Sequence, residues 1–518
     1  MKKLNIKVVI NFSGILLVLN ALFMFACAFI SLFYGEKATI SIAISAIITA
    51  TIGGIMYFTS KKHSKIIQKR EGYLIVTFGW LLMTLAGTLP YLFSGSIPHF
   101  TDAFFETMSG FTTTGSSILN DIESAPKGIL FWRSFTHWIG GMGIIVLTIA
   151  ILPLLGIGGM QLFSAESPGP STDKLHPRIT ETAKRLWCIY VLLTLIQAIL
   201  LWGAGMTLFD SINHALCTLS TGGFSTKNAS VAYWNNQPLI QYIIILFMFI
   251  AGTNFVLNYF FVTGNFKKMF KNEEFKWYAG VIFVVSLITA LIMYLFASPS
   301  ESLPVGADNA LNTWVDSNNN MRYTLESSIR HALFQVLAVI TTTGFVSADF
   351  TMWTPFLAIL FFALMFVGGS AGSTSGGVKI VRHIILIKNS WLEFKRLLHP
   401  NAIIPVRHNG KSVKQQIVFN ILAFFMIYML IFIFSSIVLS FTESESGIPN
   451  LKNFISAIGV SASALGNVGP AFGNYSPVDN FANMSYLGKW FCSFLMLLGR
   501  LELFTILILF TPFFWKKN

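Results

Sequence analysis

Charge is what this sequence has least of: Asp, Glu, Lys and Arg make up 11% of its 518 residues, less than half the share in an ordinary soluble domain. A surface so poor in charge cannot face water on all sides, which excludes a soluble enzyme or binding module. Cysteine is scarce too. Cys27, Cys188, Cys217 and Cys492 form no CxxC pair, and three of them stand in apolar runs, so they read as small core residues rather than a disulfide framework or zinc site. No HExxH occurs, the histidines are isolated, and most carboxylates fall in the segments expected on the outer side of the membrane, so the converging groups of an intramembrane enzyme are missing. The nearest approach to a phosphate-binding loop, Gly410-Lys411-Ser412, has Pro405 where the first glycine belongs. A net charge of +13 would suit nucleic acid, but the basic residues fall in short clusters between apolar runs, the pattern of cytoplasmic loops. No nucleic-acid partner is expected.

Apolar sequence fills the space these absences leave. The chain is 54% hydrophobic, with 50 phenylalanines and a mean hydropathy of +0.66, which makes it a polytopic protein of the lipid bilayer. Ten candidate spans are expected, near 8–34, 38–59, 72–95, 131–156, 186–208, 237–263, 277–297, 352–383, 415–441 and 486–513. Those at 131–156, 237–263 and 352–383 carry glycines or polar breaks. Lys and Arg concentrate on alternate connections, which predicts a multi-pass protein of the cell (inner) membrane with both termini cytoplasmic. Ala26-Cys27-Ala28 looks like a signal-peptidase site, yet the apolar run continues past it, so the first span is expected to stay as a helix.

Four stretches, 102–118, 210–226, 331–346 and 456–472, are too short or too polar to span. Aligned on Gly115, Gly223, Gly344 and Gly469, they bring TTGS, TGGF, TTGF and NVGP together. Apolar residues recur four places earlier (Phe111, Leu219, Ile340, Leu465) and eleven earlier (Phe104, Ile212, Leu333, Ile458). Each stretch has a span on either side. The expected fold is therefore all-α: two extra N-terminal helices in 1–62, then four pseudo-symmetric copies of span, short helix, glycine loop and span, at 71–156, 183–263, 277–385 and 413–514.

Such a unit has its own chemistry. A helix that stops partway across a membrane presents its negative end to the interior, which favours a cation. A glycine after it permits backbone angles that turn carbonyls inward, and four such loops around an axis can replace the hydration shell of a monovalent ion. The candidate ion-binding residues are Thr113, Thr114 and Gly115, Thr221, Gly222 and Gly223, Thr342, Thr343 and Gly344, and Asn467, Val468 and Gly469. An ordinary turn with capping threonines would not recur four times in register.

Two further features stand out. Residues 368–377, GGSAGSTSGG, interrupt an apolar span and cannot continue a lipid-facing helix without penalty. The corresponding places in the other three copies are expected to remain more helical. Arg500 stands near the centre of the last span, where a charge normally faces a bundle interior or water. Glu502, two residues on, leaves the helix in another direction and makes a poor partner for it. His137, Trp132 and Trp138 read as membrane-interface anchors.

The loops FTTTGSS, STGGFST, ITTTGFVSADF and GNVGPAFG resemble those of the Trk/Ktr/HKT superfamily of potassium and sodium transporters, as do HWIGGMGIIVL at 137–147 and GGSAGSTSGGVK at 368–379. The two extra helices are similar to those of its TrkH branch. The resemblance implies a channel-like pore for potassium uptake, since glycine in all four filter loops accompanies potassium and serine in the first accompanies sodium. It implies a gate formed by Gly368, Gly369, Ser370, Gly372, Gly376, Gly377 and Lys379, with Arg500 beside the pore below the filter. It also implies a homodimer carrying a cytosolic TrkA-type nucleotide-binding regulatory subunit, for which the basic stretch 384–414 offers a surface. Potassium is then the cargo, and no organic cofactor is expected. An alternating-access carrier also uses broken helices and repeats, usually inverted or two in number; single-channel currents separate the two.

Overall fold

The computed structural model describes residues 4–61, 69–141, 143, 179–299, 312–317, 320–443 and 451–516. Six helices are long and apolar enough to cross a membrane: Ile6–Phe33, Ala38–Thr59, Lys69–Ser94, Ala183–Gly203, Glu273–Phe296 and Gln415–Thr442. Each has a lipid-like exterior, with residues such as Phe29, Ile40, Phe283 and Phe441 exposed, as expected where lipid replaces water. Ala26-Cys27-Ala28 lies inside the first helix, with Cys27 buried. The first two helices cross closely because Gly14 and Gly53 face one another, and a Cβ on either would come within 2.8 Å of the other's carbonyl oxygen.

The ten expected spans need correction. Two of them are bent pairs: Pro238–Ala251 with Phe255–Val262, at 113°, and Tyr486–Arg500 with Phe504–Phe510, at 108°. The 352–383 span is a ten-residue helix, Pro355–Leu364, followed by an irregular loop and the amphipathic helix Ile380–Leu398. The 131–156 span is helical over Lys127–Gly141, and 144–156 lies outside the described residues. Breaks therefore occur in the second and fourth copies as well as the third. Each places glycine or a positive-φ residue where backbone groups find partners in protein, not lipid: Gly252, the 368–379 loop, and Glu502 and Leu503 at φ 54° and 56°.

Four half-helices, Phe100–Phe111, Leu208–Leu219, Leu325–Ile340 and Leu451–Gly466, occupy the stretches that were too short to span. Their starts are specified locally. Thr207 Oγ1 accepts from the Asp210 amide and Thr324 Oγ1 from the Ser327 amide, both at 3.1 Å, and acidic residues sit in the first turn of three of them. Strand is confined, among the described residues, to two small hairpins. One pairs Thr313–Val315 with Met321–Tyr323; the other pairs Arg407–His408 with Lys411–Ser412 around Asn409 and Gly410, both at positive φ. Gly410-Lys411-Ser412 is thus the return of a hairpin.

Candidate functional site

The four half-helices end alike. The residue two places before each aligned glycine is left-handed: Thr113, Thr221, Thr342 and Asn467 have φ of 54°, 55°, 54° and 53°. Left-handed threonine is unusual, because its branched Cβ resists that region. The geometry is imposed by the helix end. Thr113, Thr221 and Thr342 donate to the carbonyls of Gly110, Thr218 and Val339, and the amides of Thr114, Gly222 and Val468 donate at 2.9 Å to carbonyls five residues back. This is the αL termination usually given to glycine. The aligned glycines are left-handed in turn, at φ 89°, 83°, 72° and 103°. The residue between, Thr114, Gly222, Thr343 or Val468, is outside that region. Alternating hands turns successive carbonyls to one side, whereas an ordinary strand would alternate them.

The loops touch in cyclic order. A Cβ placed on Gly469 would lie 2.6 Å from the carbonyl oxygen of Thr114, and one placed on Gly115, Gly223 or Gly344 would strike the carbonyl of Gly222, Thr343 or Val468. First meets second, second third, third fourth, and fourth first. Glycine is required at these positions twice over, by φ and by the neighbouring carbonyl. All twelve predicted filter residues therefore lie in one ring, and its threonines and Asn467 are fully buried.

Side chains hold the ring from behind, and sequence reasoning missed most of them. Nine residues before the glycine stand Glu106, His214, Gln335 and Val460. Glu106 accepts from the Ile118 amide at 2.8 Å, from Ser117 Oγ at 3.0 Å and from Arg133 Nε at 2.6 Å, all buried or nearly so. His214 Nε2 meets Ser225 Oγ at 3.0 Å, and Gln335 Nε2 donates to Ser347 Oγ at 3.4 Å. The register that aligned the glycines also aligned these polar residues, and that was the available signal. His137 and Trp132 are not interface anchors. Both are fully buried: Trp132 Nε1 donates to the Gly87 carbonyl at 3.1 Å, and the His137 ring stacks on Phe224. Trp138 stacks on Tyr190 and donates to Thr194.

The 368–379 loop sits against the half-helix ends. Its neck is closed by Gly368 N donating to Val378 O and Ile380 N to Gly369 O. From there Ser370 N donates to Gly252 O at 2.9 Å, Thr374 Oγ1 to Leu219 O at 3.0 Å, and Gly376 N to Thr342 Oγ1 at 2.7 Å, while Gly376 packs against Gly466. The second, third and fourth copies are thereby contacted. Gly372 and Gly377 have positive φ. Lys379 is buried and its ammonium donates to the Ser375 carbonyl, back into the loop. Arg500 joins the first copy: its guanidinium donates to Thr113 Oγ1 at 3.0 Å, Thr374 O at 2.9 Å, Gly141 O at 3.0 Å and Gly140 O. Glu502 turns to Arg382. The predicted gate residues and Arg500 are thus brought together directly against the ring. Among the described residues no group of three His, Cys, Asp or Glu side chains gathers to hold a metal; carbonyls and hydroxyls are the oxygen donors this site offers.

A mostly helical membrane bundle with four half-helices ending on one carbonyl ring defines a class, membrane proteins whose interior offers a cation backbone oxygens and negative helix ends. The chain belongs to the TrkH family, described as "Cation transport protein", whose pattern matches residues 38–517; the family comprises transporters, not enzymes. It is 38% identical to the Trk system potassium uptake protein TrkH of Escherichia coli strain K12, over 99% of this chain and 100% of that protein. To the potassium uptake protein TrkG of the same strain it is 32% identical, over 99% of each. Its fold is similar to the crystal structure of the potassium transporter TrkH from Vibrio parahaemolyticus, with a TM-score of 0.83 at 34% identity, covering 99% of this chain and 100% of the other.

Proposed function

We propose that this chain takes up potassium across the cell membrane through a single pore whose selectivity filter is the ring of Thr113–Gly115, Thr221–Gly223, Thr342–Gly344 and Asn467–Gly469. One observation carries the reading: each loop's glycine abuts the carbonyl oxygen of the next loop, in a cycle that closes. Four half-helix ends add negative potential where a bare cation needs it, and carbonyl dipoles without formal charge let the ion leave again. The relatives' names, which are potassium uptake proteins, support the choice of cargo. The units at 71–156, 183–263, 277–385 and 413–514 each supply one quarter of the ring, with the helices of 1–62 packed outside it. Residues 368–377 with Lys379 form the gate, and Arg500 holds it shut while placing a positive charge on the ion's path. Lys379 and Arg382 continue into the basic helix Ile380–Leu398, on which a cytosolic nucleotide-binding subunit of the TrkA type, docked on a dimer of this chain, would pull.

Purified protein in liposomes tests the reading. Rubidium uptake is expected to exceed sodium uptake and to be competed by potassium, and the subunit with its nucleotide is expected to raise it. Equal rubidium and sodium fluxes would remove the filter, and flux indifferent to the subunit would remove the regulatory part alone.

A further inference from the structure

At the level of the ring whose carbonyls meet the glycines, three loops carry a buried side chain, Thr114, Thr343 and Val468, and the second carries none, Gly222. Backbone conformation does not explain the difference, because Gly222 is outside the left-handed region and could bear a Cβ there. The space is taken. A Cβ on Gly222 would lie 2.7 Å from Cε1 of His137 and closer still to its Nδ1. We infer that His137, on the helix Lys127–Gly141 of the first copy, supplies across the copy boundary the side chain that the second filter loop lacks, and so positions the Gly222 carbonyl and sets the pore's preference for potassium over sodium.

The surroundings make this specific. The same helix grips the second loop at consecutive places. Arg133 donates to Ser225 O at 2.9 Å and lies 3.6 Å from the Phe224 ring centroid, and the His137 ring is stacked on Phe224 at 3.9 Å. His137 is fully buried, with the Ser109 backbone beside its ring. Its flat ring fits a slot between Phe224 and the Gly222 backbone. Loss of that ring leaves a void behind one quarter of the carbonyl ring, and a filter wall that can recede holds a larger, dehydrated ion less specifically.

The inference rests on the filter reading, and its test separates the two. Rubidium and sodium fluxes in liposomes are compared for wild type, His137→Ala, Gly222→Thr, the double variant and His137→Phe. The expected result is a several-fold fall in the rubidium-to-sodium ratio for His137→Ala, and a loss of rubidium flux for Gly222→Thr alone. The double variant moves the slot's side chain to the other loop, and it should recover the ratio beyond what additivity of the singles allows. His137→Phe refills the slot and should recover most of what His137→Ala loses. If wild type is selective but His137→Ala, inserted normally, keeps its ratio, or if the double variant and His137→Phe are as unselective as His137→Ala, this inference is overturned and the filter reading stands. If His137→Ala does not assemble, recovery in the double variant decides alone. A wild type without selectivity overturns the filter reading first.

Discussion

The carbonyl ring and the layer directly against it are built by the same four units on opposite principles. In the ring all four loops share one backbone: a left-handed residue at φ 53–55°, a residue outside that region, then a left-handed glycine. In the adjacent layer, among the described residues, the third copy departs from the second and fourth. One helix bends by 113° at Gly252, another by 108° beyond Arg500, and the third copy inserts the loop at 368–379. An ion surrounded by four walls needs them equal, because the worst wall sets the fit. If the loop is the gate we propose, it is the one movable part a barrier needs, and the parts of the other copies that it touches serve as its seat.

The largest effect should come from removing that part. Deleting residues 370–375 with the flanking helices kept is expected to raise rubidium uptake in liposomes by about tenfold or more, equivalent to roughly 1.4 kcal/mol of barrier, and to abolish the response to the cytosolic subunit and nucleotide. A deletion variant that assembles, binds the subunit and keeps full nucleotide control would place the gate elsewhere. Next comes a break in the ring's uniformity. Gly115→Ser puts a Cβ against the Gly222 carbonyl at φ 89°, and a strained non-glycine residue there costs on the order of 1–3 kcal/mol. The potassium-to-sodium permeability ratio should fall by about the matching tenfold. An unchanged ratio in a normally inserted protein would take Gly115 out of the filter.

The contrast also explains what was readable in the sequence. The ring was legible because repetition made it so: four glycines in register, each with an apolar residue at the same earlier places. The left-handed threonines were not, since a helix end, not residue preference, puts Thr113, Thr221 and Thr342 there. Glu106 and Arg133 were passed over because their pairing joins a half-helix to a neighbouring helix that only the fold brings near. His137 was misread from its place near the start of an apolar run, where amphipathic anchors usually stand. The layer against the ring was half legible. Residues 368–377 announced themselves by composition, but the breaks at 252–254 and 501–503 are three residues long: glycine and polar residues marked the first without showing its bend, and the second, inside an apolar run, was counted as a plain span.

Arg500 ties the two layers, donating to Thr113 in the ring and to the Thr374 carbonyl in the loop. Arg500→Gln removes the charge and most of the fork, and two consequences run in the same direction: the seat of the loop loosens, and Coulomb repulsion of the passing ion is relieved in a medium that screens it weakly. A few-fold rise in potassium flux is expected, with the permeability ratio little changed because the ring's own backbone hydrogen bonds remain. A ratio that collapses along with the rise would show that Arg500 shapes the filter as well. Loss of the protein from the membrane with no gain in flux per molecule would leave it a packing role.

The smallest effect should fall on the fourth loop, whose support differs from the others. It has Val460 where Glu106, His214 and Gln335 brace their loops, and its backbone is held instead at the Gly469 carbonyl, which accepts from Ser463 Oγ at 2.9 Å and from Ser116 Oγ of the first loop at 3.1 Å. Asn467 adds a bond from Nδ2 to Thr114 Oγ1 at 3.0 Å. Ser463→Ala removes one of the two hydroxyls, a net loss of about 1 kcal/mol in a buried setting, and the remaining bond limits the fall in the potassium-to-sodium ratio to about twofold. Removing both hydroxyls in Ser463→Ala/Ser116→Ala leaves a buried carbonyl without either donor, and the ratio should then fall by more than the product of the single effects, because each hydroxyl covers for the other. A double variant that is merely additive would mean that the fourth wall is held by Asn467 and the helix end, and that the fourth loop needs no brace of its own.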